Sequence, residues 1–316
     1  MPFRSTFDCL WCGTSHTCRG PDDLEGWAQL CPVCIGKAGD NGFLRFRLRQ
    51  ALAERGEASR RATPSDGSPE AAGSATVPSP PTASSAIPAA VDPERSLVEY
   101  YEARAREYDD WYLRRGRYAR GAIHDAAWAA ELDAAGRWLD GLPLRGEIVE
   151  LAAGTGWWSP LLAGKGELWV YDAAARPLEL ARERLMAHRL RAHLHLRDAW
   201  EEPDRAVDAV FTGFWLSHVR RDRLEAFLGL VRRWIRPGGT FAFIDSLPDP
   251  ASGAADHPAP VDDLAVRRLD DGRTFTITKV YRTPGELAAA LREAGFIDVE
   301  VSQTGRFFVL GVATRV

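Results

Sequence analysis

The stretch that decides the fold is GEIVELAAGTGWWSPLLAGKGELWVYDAA, residues 146–174. An apolar run ends in Glu150, a short loop follows with Gly154 and Gly156, and a second apolar run ends in Asp172. In an open parallel sheet, ligands bind beyond the carboxyl ends of the strands, where glycines let the backbone approach and a carboxylate accepts ribose hydroxyls. The stretch therefore predicts a nucleoside site, and a glycine turn that only packs is the alternative.

The chain beyond residue 147 has the pattern of an α/β fold. Five short β-rich runs alternate with helical stretches at 177–189 and 222–235, without hairpin signals between them. This alternation predicts right-handed crossovers and a parallel sheet covered on both faces. A capping box at Thr283 and Glu286 then starts a helix, and two further strands that pair antiparallel follow it.

The glycine loop also distinguishes between nucleoside cofactors. A dinucleotide site requires G-x-G-x-x-G, whereas this loop has Ala152-x-Gly154-x-Gly156 followed by Trp157 and Trp158. The indoles crowd the place of a pyrophosphate, and the Gly-Lys-Ser/Thr of a P-loop is absent from this sequence. A cationic nucleoside without phosphates fits this loop better.

Residues from about 95 to 316 resemble the class I S-adenosylmethionine-dependent methyltransferases. VELAAGTG (149–156) is similar to the family's first motif, with Ala152 and Ala153 where glycine and a small residue or cysteine are commoner. Three further landmarks follow in the family's order: WVYDAA (169–174), LRDAW (196–200) and VDAVFTGFWLSHV (207–219). The resemblance implies a Rossmann-like sheet of seven strands, mostly parallel with the last strand antiparallel, and S-adenosylmethionine as cofactor.

The resemblance also implies which residues contact the cofactor. The loop of the first motif faces the methionine portion, Asp172 takes the ribose hydroxyls, and the Asp198 side chain addresses the adenine edge. Apart from the resemblance, the rings of Tyr101, Tyr108 and Trp111 in the helical lid can face the sulfonium and attract it; packing in a helix core is the alternative. The predicted cofactor residues are Glu150, Ala152, Gly154, Gly156, Asp172, Ala173, Asp198, Ala199, Tyr101 and Tyr108. Two alternatives stay open. One is that Asp172 or Asp198 caps a helix, and the other is that Glu150 only braces the glycine loop.

The sequence is less informative about catalysis. A sulfonium methyl is already activated, so displacement needs mainly a positioned nucleophile in a dry pocket. His218 is the candidate base because histidine titrates near neutral pH; a histidine held by backbone groups is the alternative. All five cysteines lie in the first 34 residues, and TGFW (212–215) follows the fourth strand in place of Asn/Asp-Pro-Pro-aromatic. Both observations favour a small-molecule acceptor over a nucleic-acid base.

The cysteines at the start predict a metal site. CLWC and CPVC form C-x2-C-x18-C-x2-C, and Gly13 and Gly36 permit tight knuckles. Four thiolates satisfy a structural zinc ion, so the sequence predicts a zinc-ribbon-like module with Cys9, Cys12, Cys31 and Cys34 as ligands. Cys18 or His16 in place of one ligand, and a redox pair, are the alternatives. A basic helix with Arg45, Arg47 and Arg49 on a solvated face follows.

Composition sets the boundaries. Residues 57–93 are rich in Ala, Ser and Pro and predict a flexible linker between the zinc module (1–56) and the methyltransferase domain (94–316, with 94–141 as a helical lid). The 247–274 segment is long for a structureless connection and is expected to cover the acceptor pocket.

Charge and hydropathy bound the partners. The net charge of −4 gives no electrostatic reason for a polyanionic partner, and the lack of an 18-residue apolar run predicts no membrane span and a cytoplasmic protein. Two other functions stay open: modification of a protein or nucleic acid recruited by the zinc module, and a non-catalytic binding module.

Overall fold

The computed structural model describes residues 3–37, 42–61 and 93–316. The chain divides into two compact units, Met1–Ile87 and Pro88–Val316. The predicted linker lies outside the described residues except at its two ends, which belong to helices. The first five residues assigned to it, 57–61, belong to the helix Gly42–Arg61.

The first unit consists of a short hairpin followed by three helices. Strand β1 (Thr6–Asp8) pairs antiparallel with β2 (Ser15–Thr17), and α1 (Leu24–Ala28), α2 (Pro32–Gly36) and α3 (Gly42–Arg61) follow. Its buried apolar residues and cysteines are Phe7, Cys9, Cys18, Ala28, Leu30, Cys31, Cys34, Leu44 and Ala51. Helices rather than further strands follow the hairpin, so the zinc-ribbon likeness is not confirmed.

Helix α3 is the predicted basic helix, with one correction. Arg45 and Arg49 are exposed, but Arg47 is buried and donates from Nε and Nη2 to the Ala28 carbonyl at 3.2 and 2.9 Å. A long apolar stem with a bonded head lets arginine fill a small core. The prediction of a solvated face is therefore wrong for Arg47.

The second unit begins with helices. These are α4 (Pro93–Arg104), a 3-10 turn (Ala105–Glu107), α5 (Tyr108–Tyr112), a second turn (Gly116–Tyr118) and α6 (Ala122–Gly141). The region predicted as a helical lid (94–141) is therefore helical but not continuous, with its first break after Arg104. Along this region Tyr112, Trp128, Ala135 and Leu139 are buried and pack against the sheet core.

A seven-stranded sheet organises the rest of the second unit, in the order β10-β11-β7-β6-β3-β4-β5. The strands of this sheet are β3 (Glu147–Leu151), β4 (Glu167–Asp172), β5 (His193–Leu196), β6 (Val207–Gly213), β7 (Ile235–Ser246), β10 (Phe296–Gln303) and β11 (Phe308–Arg315). Two further strands, β8 (Leu264–Arg268) and β9 (Thr274–Thr278), lie outside it. Strands β3 to β7 pair in parallel, and β11 is antiparallel to both of its neighbours. The predicted sheet is confirmed.

Helices lie between the strands and cover the sheet. They are α7 (Ser159–Ala163), α8 (Ala175–Ala187), α9 (Leu224–Trp234) and α10 (Pro284–Glu293). The capping box at Thr283 and Glu286 is present. Strand β3 is buried over its last four residues, as a parallel strand covered on both faces must be. Helix α7, only five residues long, has too little periodicity to be predicted.

Strands β8 and β9 form a separate antiparallel hairpin inserted between β7 and α10. The 247–274 segment is thus partly structured. None of the helices in the described ranges has the length and apolar character needed to cross a bilayer.

Candidate functional site

A cavity lies at the carboxyl ends of β3, β4 and β6, where the sequence predicts the ligand. Its space, including the part open to solvent, is about 720 Å3. Nine of the eleven predicted residues line it: Tyr101, Tyr108, Ala152, Gly154, Asp172, Ala173, Asp198, Ala199 and His218. Glu150 and Gly156 do not.

The glycine loop lines the cavity with backbone in the left-handed region. Ala152, Gly154 and Gly156 have φ values of +52°, +58° and +68°. A Cβ at Gly154 would lie 3.0 Å from Tyr108 Oη, so glycine lets the lid tyrosine approach the loop. A Cβ at Gly156 would lie 2.8 Å from Ala181 Cβ on α8. Gly156 therefore serves helix packing and does not line the cavity.

Asp172 ends β4 and holds the loop and the next turn together. Its Oδ2 accepts the Gly154 N–H at 2.7 Å, and its Oδ1 accepts the Ala174 N–H at 2.8 Å. Burial raises the pKa of Asp172 to about 6 against these two stabilising hydrogen bonds. Each carboxylate oxygen has two lone pairs, so both can still accept a ligand hydroxyl. Asp172 is not a helix cap, because Ala174 precedes α8.

Glu150 lies behind the loop rather than in the cavity. It is buried, and Ser159 Oγ at the start of α7 donates to its Oε2. Burial raises its pKa to about 8, and the Ser159 hydrogen bond opposes that rise. The assignment of Glu150 to the cofactor is corrected to a brace between β3 and α7.

Asp198 lines the cavity and also shapes its own turn. Its Oδ1 accepts the Trp200 N–H at 2.9 Å. No helix begins there, because residues 199–206 form turns and bends before β6. The contact is an Asx turn, not a helix cap, and it presents the Ala199 backbone and Trp200 to the cavity.

Tyr101 and His218 form a hydrogen-bonded pair at the cavity wall. The Tyr101 hydroxyl lies 2.7 Å from His218 Nε2, and His218 Nδ1 lies 2.7 Å from the Thr278 carbonyl on β9. A carbonyl can only accept, so the network assigns the hydrogen to Nδ1 and leaves Nε2 to accept from tyrosine. Burial, with a contribution from Lys279, holds the pKa of His218 well below its usual value. His218 is therefore neutral.

Trp111 and the 247–274 segment occupy other places than predicted. Trp111 Nε1 donates to the Ser252 carbonyl at 2.7 Å, and its ring packs edge-to-face on Trp128 and Phe214. It does not line the cavity, and neither does any residue of 247–274. Trp111 instead fastens this segment to α5, so the expected cover of the acceptor pocket is wrong for these residues.

Positive charge gathers behind the Tyr101–His218 pair. Lys279 Nζ donates to Ser217 Oγ at 2.8 Å and to Ser246 Oγ at 3.2 Å. Burial lowers its pKa to about 8, although Asp245 opposes this. Arg267 also depresses the pKa of His218. Within the described ranges, no carboxylate forms an ion pair with either cation.

Sequence reasoning missed part of the wall. The additional lining residues are Leu97, Val98, Ala174, Trp200, Gly213, Phe214 and Trp215. Trp200 and Trp215 directly follow stretches assigned to the cofactor and acceptor, which is a signal that could have identified them. Leu97 and Val98 lie one turn before Tyr101 on α4, but periodicity does not show which face of α4 meets a ligand.

The four predicted metal ligands come together in the first unit. The Sγ atoms of Cys9, Cys12, Cys31 and Cys34 lie within 4.8 Å of one another. The Cys12–Cys31 pair is 3.7 Å apart, close to the edge of about 3.8 Å that follows from Zn–S bonds of about 2.3 Å in a tetrahedron. The Cys31 N–H points at Cys9 Sγ at 3.2 Å. The donor set fits zinc.

The surroundings show whether Cys18 or His16 joins the group of four, and whether Gly13 and Gly36 form the predicted turns. Cys18 is buried outside the group of four, and the His16 ring packs edge-to-face on Phe7. Gly13 has the expected left-handed backbone, with φ of +72°. Gly36 ends helix α2 and has no such conformation, so its predicted role is wrong.

Comparisons with known proteins agree with this geometry. The profile of a family described as a methyltransferase domain matches residues 148–239. A solved complex of DhpI with SAH is 32% identical over 70% of this chain and 96% of its own, with a TM-score of 0.55. A complex of DhpI with SAM and HEP is 30% identical over 72% and 99%, with a TM-score of 0.56. No curated protein sequence matches the chain.

Proposed function

The chain belongs to the class I S-adenosylmethionine-dependent methyltransferases, and from that premise we propose that it methylates an oxygen, nitrogen or carbon atom of a small organic acceptor by direct in-line displacement. The observation that carries the proposal is that one cavity contains both the glycine loop with Asp172 and the Tyr101–His218 pair. Cofactor recognition and a proton-accepting group therefore share one enclosed space.

The residues at the β4 end of the cavity suit the cofactor. Asp172 has free lone pairs for the ribose hydroxyls, and the Asp198–Trp200 turn offers backbone groups and an indole to the adenine. When bound, S-adenosylmethionine supplies a methyl group activated by its sulfonium. Tyr101 and Tyr108 present aromatic rings to the same cavity, where each ring can attract a cation.

The Tyr101–His218 pair can receive the acceptor's proton. The Tyr101 oxygen accepts a proton from the acceptor while the tyrosine proton passes to His218 Nε2, which the Thr278 carbonyl keeps aimed at tyrosine. The low pKa of His218 keeps Nε2 unprotonated at neutral pH. It also makes His218 a weak base, so the proton moves only as methylation raises the acidity of the acceptor. General-base assistance of this kind contributes typically about 10²- to 10⁴-fold.

The charges around this pair favour an acceptor with a negatively charged group. Lys279, Arg267 and Arg104 all lower the pKa of His218, and Asp245 is the acidic residue that acts on Lys279. The charge behind the pair is therefore positive in sum, and a negative counter-charge in the cavity is attracted to it. An acidic group on the acceptor supplies that charge.

Two measurements test the proposal. Calorimetric titration with S-adenosylmethionine, its demethylated product and NAD should give binding with the first two and none with NAD. Incubation of cell extract with the enzyme and a methyl-labelled cofactor should then label small acidic compounds. Labelled protein or nucleic acid in place of small compounds would support the macromolecular alternative, and lack of binding would end the assignment as an enzyme.

We propose zinc as the ion of the four-cysteine group. Metal analysis of the purified protein should give one zinc per chain, and Cys31→Ser should lose it. Cys18→Ser is the matched control, because Cys18 is equally buried but lies outside the group. Retention of zinc in Cys31→Ser and its loss in Cys18→Ser would contradict the ligand assignment.

A further inference from the structure

Three residues outside the cavity form a closed ring of contacts. Thr155 Oγ1 donates to Asp109 Oδ1 at 2.6 Å, and Arg184 Nη2 donates to Asp109 Oδ2. Arg184 Nε closes the ring by donating to the Thr155 carbonyl at 2.9 Å. Asp109 belongs to α5, Thr155 to the glycine loop and Arg184 to α8. The ring therefore joins the lid helix, the cofactor loop and the helix after β4.

The ring adds a side-chain contact to a loop that is otherwise held through its backbone amides, at Ala153, Gly154 and Gly156. Thr155 lies between Gly154 and Gly156, both with positive φ, and its side chain is buried. Glycine-rich backbone loses much conformational freedom on ordering. Thr155 is bonded at both its side-chain hydroxyl and its backbone carbonyl, which limits that freedom before a ligand arrives.

A second contact repeats the connection one turn further on. The Trp157 ring stacks on Tyr112 with centroids 4.1 Å apart and planes 3° from parallel. The Arg184 guanidinium lies 5.2 Å from the centroid of the same indole. Both ends of α5 are thus fixed to the loop, through Asp109 at its start and Tyr112 at its end.

The consequence for the cavity concerns Tyr108, the neighbour of Asp109. Its hydroxyl lies where only a glycine at position 154 leaves room, so the position of the lid tyrosine over the loop depends on how α5 is held. We propose that Asp109 and Arg184 are positioning residues for the cofactor: they hold the glycine loop and Tyr108 in the shape that receives it. This inference rests on the proposed function of the cavity.

A merely structural role would give a different result. Asp109 and Arg184 keep 34% and 15% of their side-chain surface exposed, so solvent only partly screens the pair and its loss also lowers stability. If they position the loop, their loss should weaken cofactor binding and speed loop exchange at temperatures where the variant is still fully folded.

The experiment compares Asp109→Asn, Asp109→Glu and the control Asp208→Asn. Asp208 pairs with Arg236 at the start of β6, the opposite end of the sheet from the cavity. In calorimetric titration with S-adenosylmethionine, Asp109→Asn should bind about tenfold more weakly. Asp109→Glu should recover part of the loss, and Asp208→Asn should bind like the unchanged protein.

Amide hydrogen exchange of residues 153–157 in the ligand-free protein provides a readout that needs no cofactor. Exchange should be faster in Asp109→Asn and unchanged in Asp208→Asn. Equal exchange in Asp109→Asn and the unchanged protein would overturn the inference, whether or not the cofactor binds. If the unchanged protein fails to bind S-adenosylmethionine, the proposed function falls, and exchange alone decides the role of the ring.

Discussion

The four-cysteine group and the cofactor cavity are built in opposite ways. The cysteines fall within 26 residues of one another, and two knuckles bring their sulfurs together. The cavity takes residues from Leu97 to His218, which the order of strands in the sheet brings together. The first unit has few core residues, so its site must stabilise its fold. In the second unit, a large core stabilises the site. The fold of the first unit thus depends on its site, whereas the site of the second unit depends on its fold.

Metal removal should distinguish the two units most strongly. We expect a zinc chelator to unfold residues 3–61 and leave residues 93–316 folded, because the free energy of structural zinc binding, about 10 to 16 kcal/mol, is largely folding free energy in small modules. Hydrogen exchange measured by region checks this. Continued protection of α3 in the chelated protein would contradict it.

Loss of the Tyr101 hydroxyl tests the catalytic half of the cavity. Tyr101→Phe keeps the ring but removes the group bonded to His218, so we expect turnover to fall about 10²- to 10⁴-fold, with cofactor affinity nearly unchanged. Steady-state kinetics with an identified acceptor measures both. A similar loss in Tyr118→Phe, whose hydroxyl does not line the cavity, would indicate a general effect of the lid.

Loss of the Asp172 carboxylate tests the cofactor half. Charge-assisted hydrogen bonds contribute roughly 1.5 to 3 kcal/mol each, so Asp172→Ala should weaken S-adenosylmethionine binding by about one to three orders of magnitude. Calorimetry measures the change. Equal binding by Asp172→Ala would show that the carboxylate only braces Gly154 and Ala174.

The same carboxylate gives the cavity a pH dependence. Because burial raises the pKa of Asp172 to about 6, the acid becomes protonated as the pH falls through 6 and loses the charge that attracts ribose hydroxyls. Affinity for S-adenosylmethionine should be constant above about pH 7 and fall up to about tenfold per pH unit below pH 6. The slope should vanish in Asp172→Asn; a slope that persists in this variant assigns it to another group.

The smallest expected effect concerns Ala152. Its φ of +52° lies in the region where a Cβ costs roughly 1 to 2 kcal/mol. Ala152→Gly relieves this strain but adds freedom to the unfolded chain, so we expect a net stabilisation of at most about 1 kcal/mol. Chemical denaturation of the second unit checks the sign. Destabilisation would mean that the alanine methyl packs favourably in the cavity wall.

The sequence predicted the positions at strand ends better than the side chains around them. Asp172, Asp198 and Ala152 line the cavity because the end of a parallel strand fixes the place of the residue that follows. Glu150 lies one residue before the end of β3, and its side chain accepts a hydrogen bond from Ser159 behind the loop instead of lining the cavity. Strand periodicity gives two faces but does not say which of them meets a ligand.

Long-range partners were beyond the reach of the sequence. Tyr101 and His218 are separated by 117 positions, and nothing in the local pattern of either residue specifies the other. Trp157 and Tyr112, whose rings stack, are another such pair. The sequence alone indicates only that the Trp157 indole obstructs a pyrophosphate. The cysteine spacing, by contrast, predicted all four members of its group, because short knuckles leave little freedom.

The β8–β9 hairpin is an insertion after β7, and it packs behind the cavity wall: Ile277 clusters with Leu97 and Trp215, and Thr278 holds His218. Every residue proposed to recognise the cofactor precedes it in the chain. Changes in the hairpin, residues 264–278, can therefore alter which compound is methylated while the donor site is inherited intact. Diversification among relatives should concentrate in this segment, which makes it the natural place to graft a new acceptor preference.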